Sequence, residues 1–467
     1  MTTNIRAEKL LIIGLDCAAP ELIFSRWRND LPVLRSLMER GIYGRMESCI
    51  PAITVPAWAC MMSSQDPGQL GIYGFRNRAD HSYTRMATAT SRSIPIPRLW
   101  DILGSAGKRV GVISVPPTYP VSPVNGEMVS CFLTPNAQSQ FTYPLTLRDE
   151  ILSWLGEEFL VDVPDFRSAD KPRILRSIYQ LAEQRFTICR QLLKRQSYDF
   201  LIMVEMGVDR IHHGFWKDMD PSHPKYVPES PFAHAIHDYY QFIDQKIGEI
   251  LNIVDDNTAV LIISDHGAKA MQGGFCLNDW LIREGYLVLD DYPRRPTPLE
   301  QCRINWKATR VWGAGGYYGR IFLNVAGREP QGTIGEHEYE TIRDEIAIKL
   351  SNLRDHRGQL MNNRVFKPEA IYRQIRGIAP DLIVYFGDLD WRSIGSVGHE
   401  NIYTFENDTG PDDANHSQFG MYIFYNPRQS RKTGCVEDIT IYDVAPTILQ
   451  YLDQPIPDTM IGRCREW

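Results

Sequence analysis

Six nearly continuous apolar runs rich in Ile, Leu and Val punctuate the chain: Leu10–Leu15, Val110–Val115, Phe200–Val204, Ala259–Ile263, Leu382–Phe386 and Met421–Phe424. Short runs without polar alternation read as strands covered on both faces, the pattern of a parallel-type sheet. Amphipathic segments alternate with them. Asp170-Lys171-Pro172 opens a helix whose apolar positions Ile174, Ile178, Leu181, Phe186, Cys189 and Leu193 share one face. Ala235–Val254 and Glu336–Leu353 read as two more long helices. The alternation predicts an α/β layered fold, a central mostly parallel sheet with helices on both faces.

The 467 residues suffice for one large domain or two ordinary ones. Two stretches carry weaker core patterning. Residues near 126–170 hold few strand signals, and those near 285–375 begin in the turn-rich Asp290-Asp291-Tyr292-Pro293-Arg294-Arg295-Pro296. We read residues 1–467 as a single catalytic domain, with these two stretches as candidate insertions that cap the site or select substrate.

Composition narrows the partners. Apolar residues at 43% and charged residues at 23% are ordinary for a folded chain. A formal charge of -7 and a pI near 5.9 speak against a nucleic-acid polymer as partner. Small anions stay admissible where bound cations reverse the local field. The nine cysteines form no CxxC pair and are odd in number, so neither a disulfide framework nor a zinc-thiolate cluster is expected, and the setting reads as reducing and cytoplasmic. No stretch reaches the roughly 20 apolar residues of a membrane span. Leu10–Leu15 is too short for a signal segment and runs straight into Asp16.

Chemistry-bearing residues sit at the ends of the apolar runs. Asp16 closes the first, and Asp265 and His266 close the fourth in Leu-Ile-Ile-Ser-Asp-His-Gly. Sites of open α/β sheets form outside the carboxyl ends of strands. After the third run comes Val-Glu-Met-Gly-Val-Asp209-Arg-Ile-His-His213; in a helix, the i,i+4 spacing puts Asp209 and His213 on one face, able to grip one ion. His416 stands just before the last run. Each has an ordinary explanation by itself: a helix cap for Asp16, a chance Asp-His pair, a hydrogen-bonded or surface histidine for His416. Their joint placement is what points to a site.

Between the first two runs lies Pro51-Ala52-Ile53-Thr54-Val55-Pro56, then a small-residue stretch, then Pro67-Gly68-Gln69-Leu70-Gly71-Ile72. In this order of residues the chain resembles the type I phosphodiesterases/nucleotide pyrophosphatases of the alkaline phosphatase superfamily. The resemblance continues in Asp209-x-x-x-His213, in Asp265-His266-Gly267, in the single C-terminal His416 and in the closing Ile439–Leu449. Gly315–Gly332 is similar to a segment of the branch described as phosphohydrolases/phosphomutases. The resemblance implies an alkaline phosphatase-like fold and hydrolysis of a small anionic phosphate ester through a phospho-threonine at Thr54. It further implies two divalent metal ions, one held by Asp16, Thr54, Asp265 and His266 and the other by Asp209, His213 and His416. Oxygen and nitrogen ligands suit zinc, and manganese is compatible with them.

The chemistry explains why these residue types are needed. A threonine hydroxyl is a poor nucleophile at neutral pH, and coordination to a divalent ion lowers its pKa. Two dications against the three aspartates leave a net positive site that favours an anionic substrate.

Some positions depart from the family pattern. Ala57 stands where many relatives carry an Asn that contacts a phosphoryl oxygen, so another donor, from the backbone near Thr54 or an arginine, must serve. Leu70 stands where much of the family has His. Both changes leave a diester or pyrophosphate preference open. Trp58 reads as a core aromatic rather than a stacking platform. Arg76, Arg78, Arg210 and Lys217 are candidates to meet a substrate anion, though surface charge is the default; His212 reads as structural and His399 as a loop residue.

Rival readings fare less well. A type I sulfatase needs Cys or Ser within Cys/Ser-x-Pro-x-Arg, and neither Thr54 nor Cys49-Ile-Pro-Ala supplies it. Cofactor-independent phosphomutases use a serine in a different surrounding sequence, so phosphomutase or phosphotransferase activity is a less favoured alternative, and phosphonate hydrolysis by a threonine enzyme of the same superfamily stays open. An inactive binding homologue is expected to have lost ligands, and all seven positions are filled. A dinucleotide enzyme is rejected because Gly313-Ala314-Gly315-Gly316 does not follow the first strand.

Overall fold

The computed structural model describes residues 8–428 and 433–467. A ten-stranded sheet forms its centre. Its principal strands are β1 (Lys9–Leu15), β2 (Ile42–Glu47), β3 (Val110–Ile113), β4 (Gly126–Val129), β5 (Phe200–Glu205), β6 (Thr258–Ile263) and β7 (Phe419–Tyr425). They lie side by side as β2-β7-β6-β1-β5-β3-β4. The five central and flanking strands β1, β3, β4, β5 and β6 are mutually parallel. Every residue of β3, β5 and β6 is buried, so both faces of the sheet are covered there. That is why these runs show no polar alternation.

Four helices position the site: α1 (Thr54–Ser63), α2 (Lys171–Arg195), α3 (Gly207–Met219) and α4 (Ala235–Leu251). Asp170 caps α2 by accepting from the Arg173 N–H at 3.2 Å, with Pro172 in the first turn. Ile174, Ile178, Leu181, Phe186 and Cys189 are buried against the main core, and Leu193 is half-buried. The third long helix runs from Glu336 to Ser351.

Three expectations are corrected. Leu382–Tyr385 is a strand but not of the parallel sheet. It belongs to a four-stranded antiparallel sheet with Val311–Ala314, Gly319–Leu323 and Arg364–Phe366, over a second core that includes Phe275, Trp280, Ile321, Ile346 and Phe386. The Met421–Phe424 run lies in the central sheet as β7, yet antiparallel to both β2 and β6. An apolar run reports that a strand is covered, not which way its neighbours point. Residues 126–170 also hold more strand than their pattern suggested, because β4 extends the central sheet beside β3.

A short ladder joins the two cores: Gly267–Ala270 pairs antiparallel with Ala414–Ser417, opposing Ala268 to His416. Among the described residues no helix is long and apolar enough to cross a membrane.

Candidate active site

The seven candidate residues come together, and all are buried. Asp16 follows β1, where the left-handed backbone of Cys17 (φ 63°) turns the chain. That turn is held by the Cys17 N–H, which donates to Asp265 Oδ1 at 3.3 Å, and by the thiol, which donates to the Gly267 carbonyl at 3.3 Å. Asp265 and His266 follow β6, Thr54 opens α1, and Asp209 and His213 lie one turn apart on α3. His416 comes from the short strand before β7, and because β7 is reversed, its start lies at the carboxyl end of the parallel strands.

Thr54 donates its hydroxyl to Asp16 Oδ1 at 3.3 Å and lies 3.4 Å from His266 Nε2. His266 Nε2 is 3.3 Å from Asp265 Oδ2. Asp209 Oδ1 is 3.1 Å from His213 Nε2 and 3.8 Å from His416 Nε2. The rings of His266 and His416 stack 4.0 Å apart and join the two halves. Two trios, Asp16-Asp265-His266 and Asp209-His213-His416, each bring their ligand atoms within 4.8 Å of one another. Each histidine also has its Nδ1 engaged from behind: His416 by the Ala52 carbonyl at 3.0 Å, His266 by the Gly267 carbonyl at 3.2 Å and His213 by Asp412 Oδ1 at 2.7 Å. Outer hydrogen bonds of this kind fix ring orientation and leave Nε2 facing the site.

Electrostatically the site is short of positive charge. Burial pushes the Asp16 and Asp265 carboxyls well above the usual carboxylate range, and each is raised further by a neighbouring aspartate. Burial acts the same way on Asp209, but His213 and Arg210 outweigh it and hold that carboxyl well below the usual range. Burial pulls His266 down to about 4 and His416 well below its ordinary value. Burial also opposes the charged form of His213, yet Asp412 and Asp209 on either side raise it to about 9. Asp265 Oδ2 and His416 Nε2 are buried without a hydrogen-bond partner among the described residues, an arrangement that ordinarily costs about 1–3 kcal/mol per group.

Several supporting residues gave no separate signal in the sequence. Trp58 is fully buried, as a core aromatic should be, but its Nε1–H donates to Asp16 Oδ2 at 2.7 Å. Gly14 accommodates that indole: a Cβ there meets Trp58 Cη2 at 2.4 Å. Tyr317 stacks on His416 at 4.2 Å and donates to Asp412 Oδ2 at 3.0 Å. Its loop approaches so closely that a Cβ at Gly315 meets the Gly395 nitrogen at 2.4 Å, which explains the glycine run there. Asp412 is paired with Arg167 and Arg392, each at 3.0 Å.

A cleft of about 350 Å³ opens beside Thr54, walled by Phe75, Phe132, Phe166, Tyr317 and Tyr318 among others. Arg76 and Arg210 line it, and Arg210 pairs with Asp209 and Asp162. Arg78 and Lys217 do not line it; they pair with Glu329 at 2.9 Å and Asp413 at 3.1 Å. His212 is buried and bonded to the Tyr240 hydroxyl at 3.1 Å, a structural role. His399 bonds Ser396 at 2.9 Å in a separate group with Cys276 and Asp279. Ala57 and Leu70 are buried and do not line the cleft.

Acidic and imidazole side chains are thus gathered at the carboxyl ends of a mostly parallel sheet. The sequence profile of the type I phosphodiesterase/nucleotide pyrophosphatase family matches residues 10–412, and the chain belongs to that family. No curated protein matches the sequence. Among solved structures, phosphonoacetate hydrolase from Sinorhizobium meliloti 1021, in complex with phosphonoacetate, is similar at TM-score 0.61 and 16% identity, covering 96% of each chain. An inactive variant of murine ectonucleotide pyrophosphatase/phosphodiesterase 5 in complex with AMP is similar at TM-score 0.55 and 13% identity, again over 96% of each chain. The human counterpart gives 0.54 and 13% over 98% of this chain and 97% of its own.

Proposed function

We propose that the chain hydrolyses small anionic phosphate esters through a phospho-threonine at Thr54, with two divalent ions, zinc or manganese, as cofactors. The observation that carries this reading is the position of Thr54, buried among three aspartates and three histidines yet lining the cleft. The residues fit the ions. Three buried carboxylates face one nearby guanidinium, His266 and His416 are held neutral as ligation requires, and two ligand atoms have no hydrogen-bond partner among the described residues. Asp16, Thr54, Asp265 and His266 would hold one ion, and Asp209, His213 and His416 the other. When bound, such ions polarise a phosphoryl oxygen and favour ionisation of a coordinated hydroxyl.

The chain's own residues do the rest. Thr54 Oγ1 forms a bond to phosphorus as the bond to the leaving oxygen breaks, and its proton is directed at Asp16 Oδ1. The first-turn N–H groups of α1, at Thr54 and Val55, have no acceptor within the helix and stand in for the amide absent at Ala57. The Thr54 proton passes on to the leaving oxygen; water then bonds to phosphorus as the bond to Thr54 Oγ1 breaks, one water proton restores the hydroxyl and phosphate leaves. We read the stretches 126–170 and 285–375 as substrate-selecting, since they supply Phe132, Phe166 and Arg167, and Tyr317, Tyr318 and Arg320, to the cleft. Nine cysteines left as free thiols support a cytoplasmic setting.

The test is a screen of metal-loaded protein against aryl phosphate monoesters, diesters and phosphonates, repeated with Thr54→Ala. Loss of kcat/KM by at least about 1000-fold is expected. Near-normal turnover by that variant overturns the nucleophile, and no turnover of any ester by the unaltered protein overturns the hydrolase.

A further inference from the structure

The cleft beside Thr54 holds more positive charge than its protein partners neutralise. Five arginines line it: Arg76, Arg167, Arg210, Arg320 and Arg392. Arg210 is matched by Asp209 and by Asp162 at 2.7 Å. Arg167 and Arg392 share Asp412, each at 3.0 Å. Arg76 and Arg320 have no carboxylate partner among the described residues. Instead Arg320 Nη1 donates to the main-chain carbonyl of Arg76, tying the strand Gly319–Leu323 to the strand Arg76–Arg78. Arg392 also lies 3.9 Å from Asp408, so five guanidiniums against Asp162, Asp209, Asp408 and Asp412 leave a surplus of one, and Arg76 and Arg320 are the two that face no carboxylate.

Two guanidiniums that line one cleft and face no carboxylate offer an anion positive charge that no described protein group neutralises. Arginine is suited to the task because its planar fork donates paired hydrogen bonds to carboxylate or phosphate oxygens. The volume of about 350 Å³ exceeds what a phosphoryl group fills, and Phe75, Phe132 and Tyr318 offer apolar wall to a substrate body.

We infer that the substrate carries a second anionic group, a carboxylate or phosphate, besides the phosphoryl group that reacts, and that Arg76 and Arg320 receive it. The inference rests on the hydrolase reading for the place of the reacting group. Both side chains are specificity determinants, and neither enters the reaction at Thr54.

Binding tests it without turnover. Metal-loaded, full-length protein is titrated calorimetrically with 4-carboxybenzylphosphonate, its neutral 4-carbamoyl counterpart and a benzylic bisphosphonate. The expected result is at least tenfold tighter binding of the carboxylate, the bisphosphonate or both than of the carbamoyl probe, and which of them is favoured separates the two anion sources. Arg76→Gln and Arg320→Gln should each cut that preference at least threefold, and the double variant should abolish it. Arg76 is exposed and unpaired, so R76Q keeps the test decisive if R320Q fails to fold. Equal affinity for all probes, or a preference that survives R76Q, overturns the inference. Ester hydrolysis without the preference overturns the subsite alone; the preference without hydrolysis of any ester overturns the hydrolase reading alone.

Discussion

The indole Nε1–H of Trp58 donates to Asp16 Oδ2 at 2.7 Å, so a ring sealed in the core holds a buried carboxylate beside Thr54. The bond leaves Asp16 Oδ1 turned toward Thr54. Trp58→Phe keeps an aromatic body and deletes the donor. Metal affinity is expected to fall about 10–100-fold, with about 1–3 kcal/mol of stability lost to the unpaired oxygen. Competition against a chromophoric chelator measures the first. An unchanged affinity means that Asp16 is held in place by its other contacts.

The same indole sets a steric condition on β1. Gly14→Ala places a methyl 2.4 Å from Trp58 Cη2 and 3.0 Å from Val204 Cγ2. Overpacking of this kind costs about 1–3 kcal/mol. Urea unfolding should show a lower midpoint at constant slope, and a midpoint equal to that of the parent shows that the ring moves aside freely.

Asp412 faces His213, Tyr317, Arg167 and Arg392 at once. Asp412→Asn preserves its shape and removes its charge, leaving Arg167 without its carboxylate partner and Arg392 with Asp408 at 3.9 Å. Loss of about 3–5 kcal/mol is expected, larger than for Trp58→Phe, together with weaker metal binding through the misplaced His213. Chemical denaturation of both variants side by side checks the order, and a milder effect for the asparagine variant refutes it.

What the sequence showed and what it hid have a common physical origin. Asp16, Asp265 and His266 were legible because a strand end fixes where the next side chain points. Asp209 and His213 were legible because helical spacing aligns them. Asp412, Tyr317, Arg167 and Arg392 were not, since they meet only through contacts between distant segments, and no local period marks such a meeting. β2 forms no continuous apolar run because one of its faces is wet: Ile42, Gly44 and Met46 point inward and Arg45 and Glu47 outward. The reversed β7 lay beyond reach for a different reason, because direction is set by connections rather than by composition.

Removal of metal supplies the remaining prediction. Exhaustive chelation should abolish ester hydrolysis and lower the unfolding temperature, and added Zn2+ or Mn2+ should restore both. At an ion concentration 100 times the dissociation constant, the stabilisation per site is about 2.7 kcal/mol. Calorimetric scans with and without ion measure it. Full activity and an unshifted transition after chelation contradict the assignment of the two trios as ligands.

His266 and His416 stand in face-to-face contact although the chain makes a long excursion between them. The excursion departs and returns through the two strands of one ladder, Gly267–Ala270 and Ala414–Ser417. Its length is thereby uncoupled from the spacing of the two imidazoles. Segments between those strands, other than those that carry Tyr317, Arg392 and Asp412, can therefore change in length without altering the ladder that sets the two imidazoles side by side.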